Sequence, residues 1–166
     1  DRGAVWDVAF RPDGKYLASI GTDGLCLIWD TATAKTIASV PTEIGGRLFD
    51  AEWNHNDLLA LAGEDGWIEL WNLKSPTSPQ KVFSTRAHNC PVWSLQFDPL
   101  GEQLLTHARD IRPIEGAITN ASGKAAAWVA PSGYPSVEFN AAIWDLEAAK
   151  RKGWSALTSQ SQRPSP

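Results

Sequence analysis

VWDVAFRPDGKYLASIGTDGLCLIWD (residues 5–30) is the stretch that decides the fold, because two imperfect copies of it follow. The copies fall into register on the aromatic that ends their first apolar run: Phe10, then Trp53, then Phe97. The second copy is LFDAEWNHNDLLALAGEDGWIELWN (residues 48–72). The third is VWSLQFDPLGEQLLTHARD (residues 92–110), which breaks off and resumes as AAIWD (residues 141–145). Five of the nine tryptophans, Trp6, Trp29, Trp71, Trp93 and Trp144, stand at matching repeat positions, so their number follows from the repetition. A period a little over forty residues, with several short strands per copy, points to one small sheet tiled side by side.

Each copy opens with a strand whose alternation slips once. Val8 and Phe10 share a face while Val5 is out of phase with them, which places a bulge at Trp6 and Asp7. The same slip recurs at Leu48, Ala51 and Trp53 and at Val92, Leu95 and Phe97, and it aims Trp6, Phe49 and Trp93 at a common surface. A turn follows (Pro12-Asp13-Gly14 in copy one), then a second strand at 16–20, 58–62 and 104–106. Asp23-Gly24 and Asp65-Gly66 are strong hairpin signals, leading into third strands at 25–29 and 67–71. Weaker fourth strands are expected at 36–40 and 81–84.

Four antiparallel strands per copy make each copy one propeller blade. The expected architecture is an all-β propeller of three four-stranded antiparallel blades, at 1–40, 41–85 and 86–152, the last interrupted by an insertion at 111–140. The insertion is rich in Gly, Ala, Pro and Ser and replaces a two-residue hairpin turn; it reads as a long excursion, functional or not. The polar tail at 153–166 is expected to be disordered. Three copies fall short of a closed ring, so the expectation is a partial propeller, a fragment that needs further blades or another chain for closure.

A net charge of −4 gives no general attraction to nucleic acid or anionic lipid. Cys26, inside a strand, and Cys90, in a turn, form no disulfide framework, which suits a reducing compartment. The longest apolar run is far too short to span a bilayer, and Asp1-Arg2-Gly3 lacks the form of a signal peptide. An intracellular protein, cytoplasmic or nuclear, is the expectation. His55, His88 and His107 have no metal-ligand spacing with the cysteines, and GAITNASGK (residues 116–124) fails as a phosphate loop. In the latter, six residues separate the glycines and Ala125 stands where the magnesium-binding hydroxyl would be. No catalytic residue, cofactor or metal is assigned. Ser75-Pro76 and Ser78-Pro79 read first as loop-shaping prolines.

These residues resemble the WD-repeat β-propeller family. The resemblance implies that each blade is pinned by a hydrogen-bonded tetrad of a turn Asp, a His before the first strand, a Ser or Thr on the second strand and the third-strand Trp. Blade three has the full set, His88, Thr106, Asp110 and Trp144. Blade one has Ser19, Asp23 and Trp29 with Asp1 in the His place; blade two keeps Asp65 and Trp71, with Ile44 and Leu61 in the other places. Asp23 and Asp65 are therefore expected to bond backbone or water. Within the family, WNLKSPTSPQKVF and AHNCPVWSLQFDPLGEQLL are similar to the middle blades of transducin-β-like corepressor subunits, scaffolds of histone-deacetylase complexes.

What the resemblance implies for function is a non-catalytic scaffold binding peptide or protein partners on the propeller face that carries the turn Asp residues. Carried over by position, that face holds Trp6, Arg47, Phe49, Glu64, Trp93 and Arg109. The aromatics could equally pack against a neighbouring blade's loop. Two other classes stay open: a small-ligand or enzymatic propeller using the central channel, marked by convergent polar residues with shifted pKa values, and a nucleic-acid-binding module, marked by salt-dependent retention.

Overall fold

The computed structural model describes residues 3–110 and 138–146, with 109–110 and 138–140 described through their backbone. The first sheet runs β1 (Val5–Phe10), β2 (Tyr16–Gly21), β3 (Cys26–Asp30) and β4 (Lys35–Val40) in that spatial order. The second repeats it with β5 (Leu48–Trp53), β6 (Leu58–Gly63), β7 (Trp67–Asn72) and β8 (Gln80–Arg86). The third has three described strands, β9 (Val92–Phe97), β10 (Gln103–Asp110) and β11 (Glu138–Asp145), with β10 in the middle. The fourth strand expected there and most of the insertion lie outside the described residues. β11 begins at Glu138, paired with Asp110, so the last three residues of the expected insertion belong to a strand. All described pairings are antiparallel.

Register explains why the sequences repeat. The third-strand tryptophans lie opposite leucines of the second strand in every sheet: Leu17 with Trp29, Leu59 with Trp71, and Leu104 with Trp144. The first strand slips between Val5 and Asp7, between Leu48 and Asp50, and opposite His107 and Ala108 where Trp93 is skipped. The turn after the first strand needs a left-handed residue, supplied by Gly14 and Gly101 and, in the second copy, by Asp57 at φ 62°. Asp reaches that region more readily than other side chains, and here its carboxylate also meets Arg11 of the first sheet at 2.7 Å.

The sheets stack face to face in chain order. Ala18, Ile20 and Ile28 of the first sheet pack on Ala51, Trp53, Leu59 and Leu61 of the second. The second sheet's other face, with Ala60, Ala62 and Leu70, packs on Leu95, Phe97 and Trp144 of the third. Every residue of β6 is therefore buried, which is why LLALAG is apolar without alternation. The first sheet's outer face differs. Val8 and Phe10 are 53% and 63% exposed, whereas their repeat equivalents Ala51 and Trp53 are 1% and 5% exposed beneath the preceding sheet.

Gly66 has φ +82°, and a Cβ there would run into the His88 carbonyl oxygen, whereas Gly14 at φ +71° faces open space. Gly14→Ala should cost about 1–2 kcal/mol, the left-handed strain alone, and Gly66→Ala clearly more. Urea unfolding of the two variants checks the ranking.

Candidate functional site

The three bulges bring their aromatics together. Trp6 meets Phe49 edge-on, ring centroids 5.8 Å apart at 81°, and Phe49 stacks on Trp93 at 4.4 Å and 5°. One residue from each sheet thus forms a continuous row across both sheet boundaries. Trp6 remains 48% exposed and Trp93 44%. Edge-on and stacked contacts are the favoured geometries for aromatic pairs, so the row is ordered yet open to solvent.

Arg47 and Glu64, the charged residues expected on the same face, pair with each other. The Arg47 amide donates to Glu64 Oε2 at 3.3 Å, and the guanidinium lies 3.9 Å from the same oxygen, both side chains being well exposed. The side chain of Arg109 lies outside the described residues. Next to the aromatics, on the same innermost strands, Asp7 accepts a hydrogen bond from the Ala51 amide at 3.1 Å and Asp50 accepts one from the Leu95 amide. Sequence reasoning missed this pair of bonds, although Trp6-Asp7 and Phe49-Asp50 occupy matching positions. Among the described residues no cluster of His, Cys, Asp or Glu could hold a metal ion. The cleft beside Gly21 and Leu25 has room for little more than a water molecule, about 20 Å³.

Behind the row, the third-strand indoles are tied down differently in each sheet. In the first, Trp29 Nε1–H donates to Ser19 Oγ at 2.8 Å. In the third, Trp144 Nε1–H donates to Thr106 Oγ1 at 3.2 Å, and His88 Nε2 lies 2.8 Å from the same hydroxyl. Asp110, the remaining member expected there, has a described backbone only. Asp23 accepts the Leu25 amide, while Asp65 accepts the amides of Gly45, at 2.7 Å, and Trp67. Burial, then the neighbouring His107, hold the His88 imidazole down to about 4. His88 is therefore neutral near pH 7, and its contribution, full above the ordinary His range, is lost as pH falls through about 4.

The second sheet departs from the expected tetrad. Leu61 stands where Ser19 and Thr106 stand, and Trp71 Nε1–H donates instead to Glu69 Oε2 at 2.9 Å. Glu69 is 1% exposed, pairs with Leu61 across the strands, and also accepts the Glu43 amide and the Lys81 ammonium at 3.1 and 3.3 Å. In the first sheet the equivalent cross-strand pair is Ser19 with Leu27. The polar and apolar members have changed places, and the buried charge is matched by Lys81, which also lies over the Trp71 ring. Burial, then the Glu69 charge, push the nearby Cys26 thiol far above the usual thiol range.

His88→Ala should destabilise by about 1–3 kcal/mol, the cost of a buried polar group losing its partner. The exposed His55→Ala should stay within about 0.5 kcal/mol of wild type. Glu69→Leu and Leu61→Ser should each cost about 2 kcal/mol or more. Their combination should cost at least about 1 kcal/mol less than the sum, because it restores the first sheet's arrangement. Strict additivity in denaturant melts would show that the introduced hydroxyl does not take over the indole.

Residues 1–30 match the family profile described as WD domain, G-beta repeat. Over 113 residues, 63% of the chain, the sequence is 34% identical to Centriole proteome protein 16 of Chlamydomonas reinhardtii, covering 5% of that protein. It is 28% identical over 107 residues to WD repeat-containing protein AAC3 of Dictyostelium discoideum, covering 63% of the chain and 22% of that protein. It is 33% identical over 98 residues to Transcriptional corepressor LEUNIG_HOMOLOG of Arabidopsis thaliana, covering 58% of the chain and 12% of that protein. The chain thus spans 5% to 22% of the length of these three relatives. A chain in the crystal structure of the mitotic checkpoint complex superposes with a TM-score of 0.58 at 20% identity, over 64% of this chain and 32% of that one, a likeness of fold. Repeating sheets, third strands ending in Trp-Asp or Trp-Asn, a matched repeat and these relatives agree: residues 1–30 carry a WD repeat, and the chain has the WD-repeat β-propeller fold.

Proposed function

We propose that the chain is a non-catalytic scaffold that holds a protein or peptide partner on the rim formed by Trp6, Phe49 and Trp93, with Arg47 and Glu64 at its edge. WD-repeat proteins generally act as protein-interaction scaffolds. The observation that carries the reading is the continuous aromatic row, half-exposed at both ends although it spans three sheets. Large, rigid aromatics with an adjacent arginine are the side chains that dominate binding energy at protein interfaces. The exposed face of Val8 and Phe10 fits a further blade, from this polypeptide or another.

The channel-enzyme reading asks for convergent polar groups with shifted pKa values, and Asp50 and Glu52, both raised by burial, come nearest to that. Yet Asp7 and Asp50 each bond a main-chain amide of the next sheet, an arrangement that supports a structural role. Within the scaffold reading, the narrower proposal is a subunit of a chromatin corepressor complex of the histone-deacetylase kind, acting inside the cell. A curated relative that is a transcriptional corepressor by name, and the similarity of the second and third repeats to transducin-β-like subunits, support it.

The test is affinity purification with wild type, Phe49→Ala, Trp93→Ala and, as control, Lys74→Ala on an exposed turn, followed by titration of the partner recovered. The rim variants should bind at least about 2 kcal/mol more weakly, the threshold of a hot spot, with melting close to wild type. Unchanged affinity in both rim variants would overturn the rim. Recovery of partners without a histone deacetylase would overturn only the corepressor assignment.

A further inference from the structure

The turn between β7 and β8 departs from its counterpart in the first sheet. Residues 31–34 join β3 to β4, whereas residues 73–79, LKSPTSP, join β7 to β8. Leu73 is buried and its amide donates to the Asp57 carbonyl at 2.8 Å, which anchors the start of the longer connection. Beyond it Lys74, Ser75, Thr77 and Ser78 are all exposed. The first sheet closes the same hairpin with the shorter loop, so the added length and its two Ser-Pro pairs are not needed to join the strands.

Main chain holds this turn together. The Ser78 amide donates to the Ser75 carbonyl at 2.9 Å, with Pro76 in the second position, where its fixed φ suits the turn. Pro79 has no N–H and stands directly before β8, whose pairing begins with Gln80 opposite Asn72. The Ser75–Ser78 bond is thus the main-chain contact that has to open for the segment to extend into an enzyme's cleft. We propose that Ser75 and Ser78 are phosphorylated by a proline-directed protein kinase, which makes this turn a modification site at the end of the sheet opposite the aromatic row.

Each serine offers an exposed hydroxyl followed directly by proline. A kinase cleft that leaves the main-chain N–H after the acceptor without a partner selects proline there, because proline has no such hydrogen. The hydroxyl oxygen attacks the γ-phosphorus of ATP, and the bond from that phosphorus to the β–γ bridging oxygen breaks. ADP leaves, and the hydroxyl proton passes to the kinase's carboxylate base. Each phosphate brings a charge of about −1.5 to −2 at pH 7. Thr77 is exposed in the same turn but is followed by Ser78, which makes it an internal comparison. The turn adjoins Asn72, at one end of β7, whereas Phe49 lies towards the Trp67 end, since its neighbours Leu48 and Asp50 pair with Gly63 and Ala62. Roughly 20 Å of strand separates the two ends, so the site is independent of the rim and of what the rim binds.

The experiment is incubation of the folded full chain with magnesium ATP and a cyclin-dependent protein kinase, a proline-directed enzyme, with sites and initial rates read by mass spectrometry. Ser75 and Ser78 should each gain a phosphate and Thr77 none; site mapping separates them from Ser165-Pro166. Pro76→Ala and Pro79→Ala should each slow phosphorylation of the preceding serine about tenfold or more, the loss of one discriminating contact, with melting close to wild type. No phosphate on either serine would overturn the site, as would phosphate on a synthetic peptide of residues 72–82 but not on the folded chain. Rates unchanged by both proline substitutions would overturn the class of kinase.

Discussion

Every third-strand indole N–H bonds an acceptor inside its own sheet, whereas the buried Trp53 indole on the first strand of the second sheet has none among the described residues, so it is the third-strand contact that the repeat preserves. Trp71 and Trp144 fill the space between neighbouring sheets, where an unbonded donor would cost about 1–3 kcal/mol, and Trp29 takes the matching place on the first sheet's outer face. The first and third sheets supply a hydroxyl from the second strand; the second supplies a carboxylate from the third strand itself. The carboxylate brings a charge, the charge brings Lys81, and Lys81 brings Glu43. One residue's choice of acceptor thus fixes the polar interior of a whole sheet.

A second constraint acts at the inner edge. The extra residue in each first strand turns an aromatic out of the sheet and points the next side chain at the neighbouring strand. Rim and seam are therefore two outputs of one distortion. The aromatic forms the exposed row, and in the first and second sheets the residue after it, Asp7 or Asp50, bonds the following sheet.

The strand pattern, the bulges and the tryptophan register were legible because they are local: a period of two, one slip, and a turn residue at fixed spacing. Asp57 at a glycine position and the longer β10 shift boundaries without changing the plan. What was not legible depends on contacts between sheets. The Asp7 bond to Ala51 joins residues 44 apart and the Asp50 bond to Leu95 joins residues 45 apart, and nothing in either stretch alone says which neighbour the carboxylate will meet. Glu69 lay between the two cases. A carboxylate in an otherwise apolar strand, paired with a leucine where a hydroxyl belongs, was a visible signal, but only the pairing of Leu61 with Glu69 shows that the two departures are one exchange.

That exchange bears on how such repeats diverge. A scheme that scores each column of a repeat by itself counts Leu61 and Glu69 as two faults, although together they preserve the single donor–acceptor contact that matters. Ancestry in these sheets is thus carried in pairs of columns, and a degenerate copy can be structurally intact while looking eroded letter by letter.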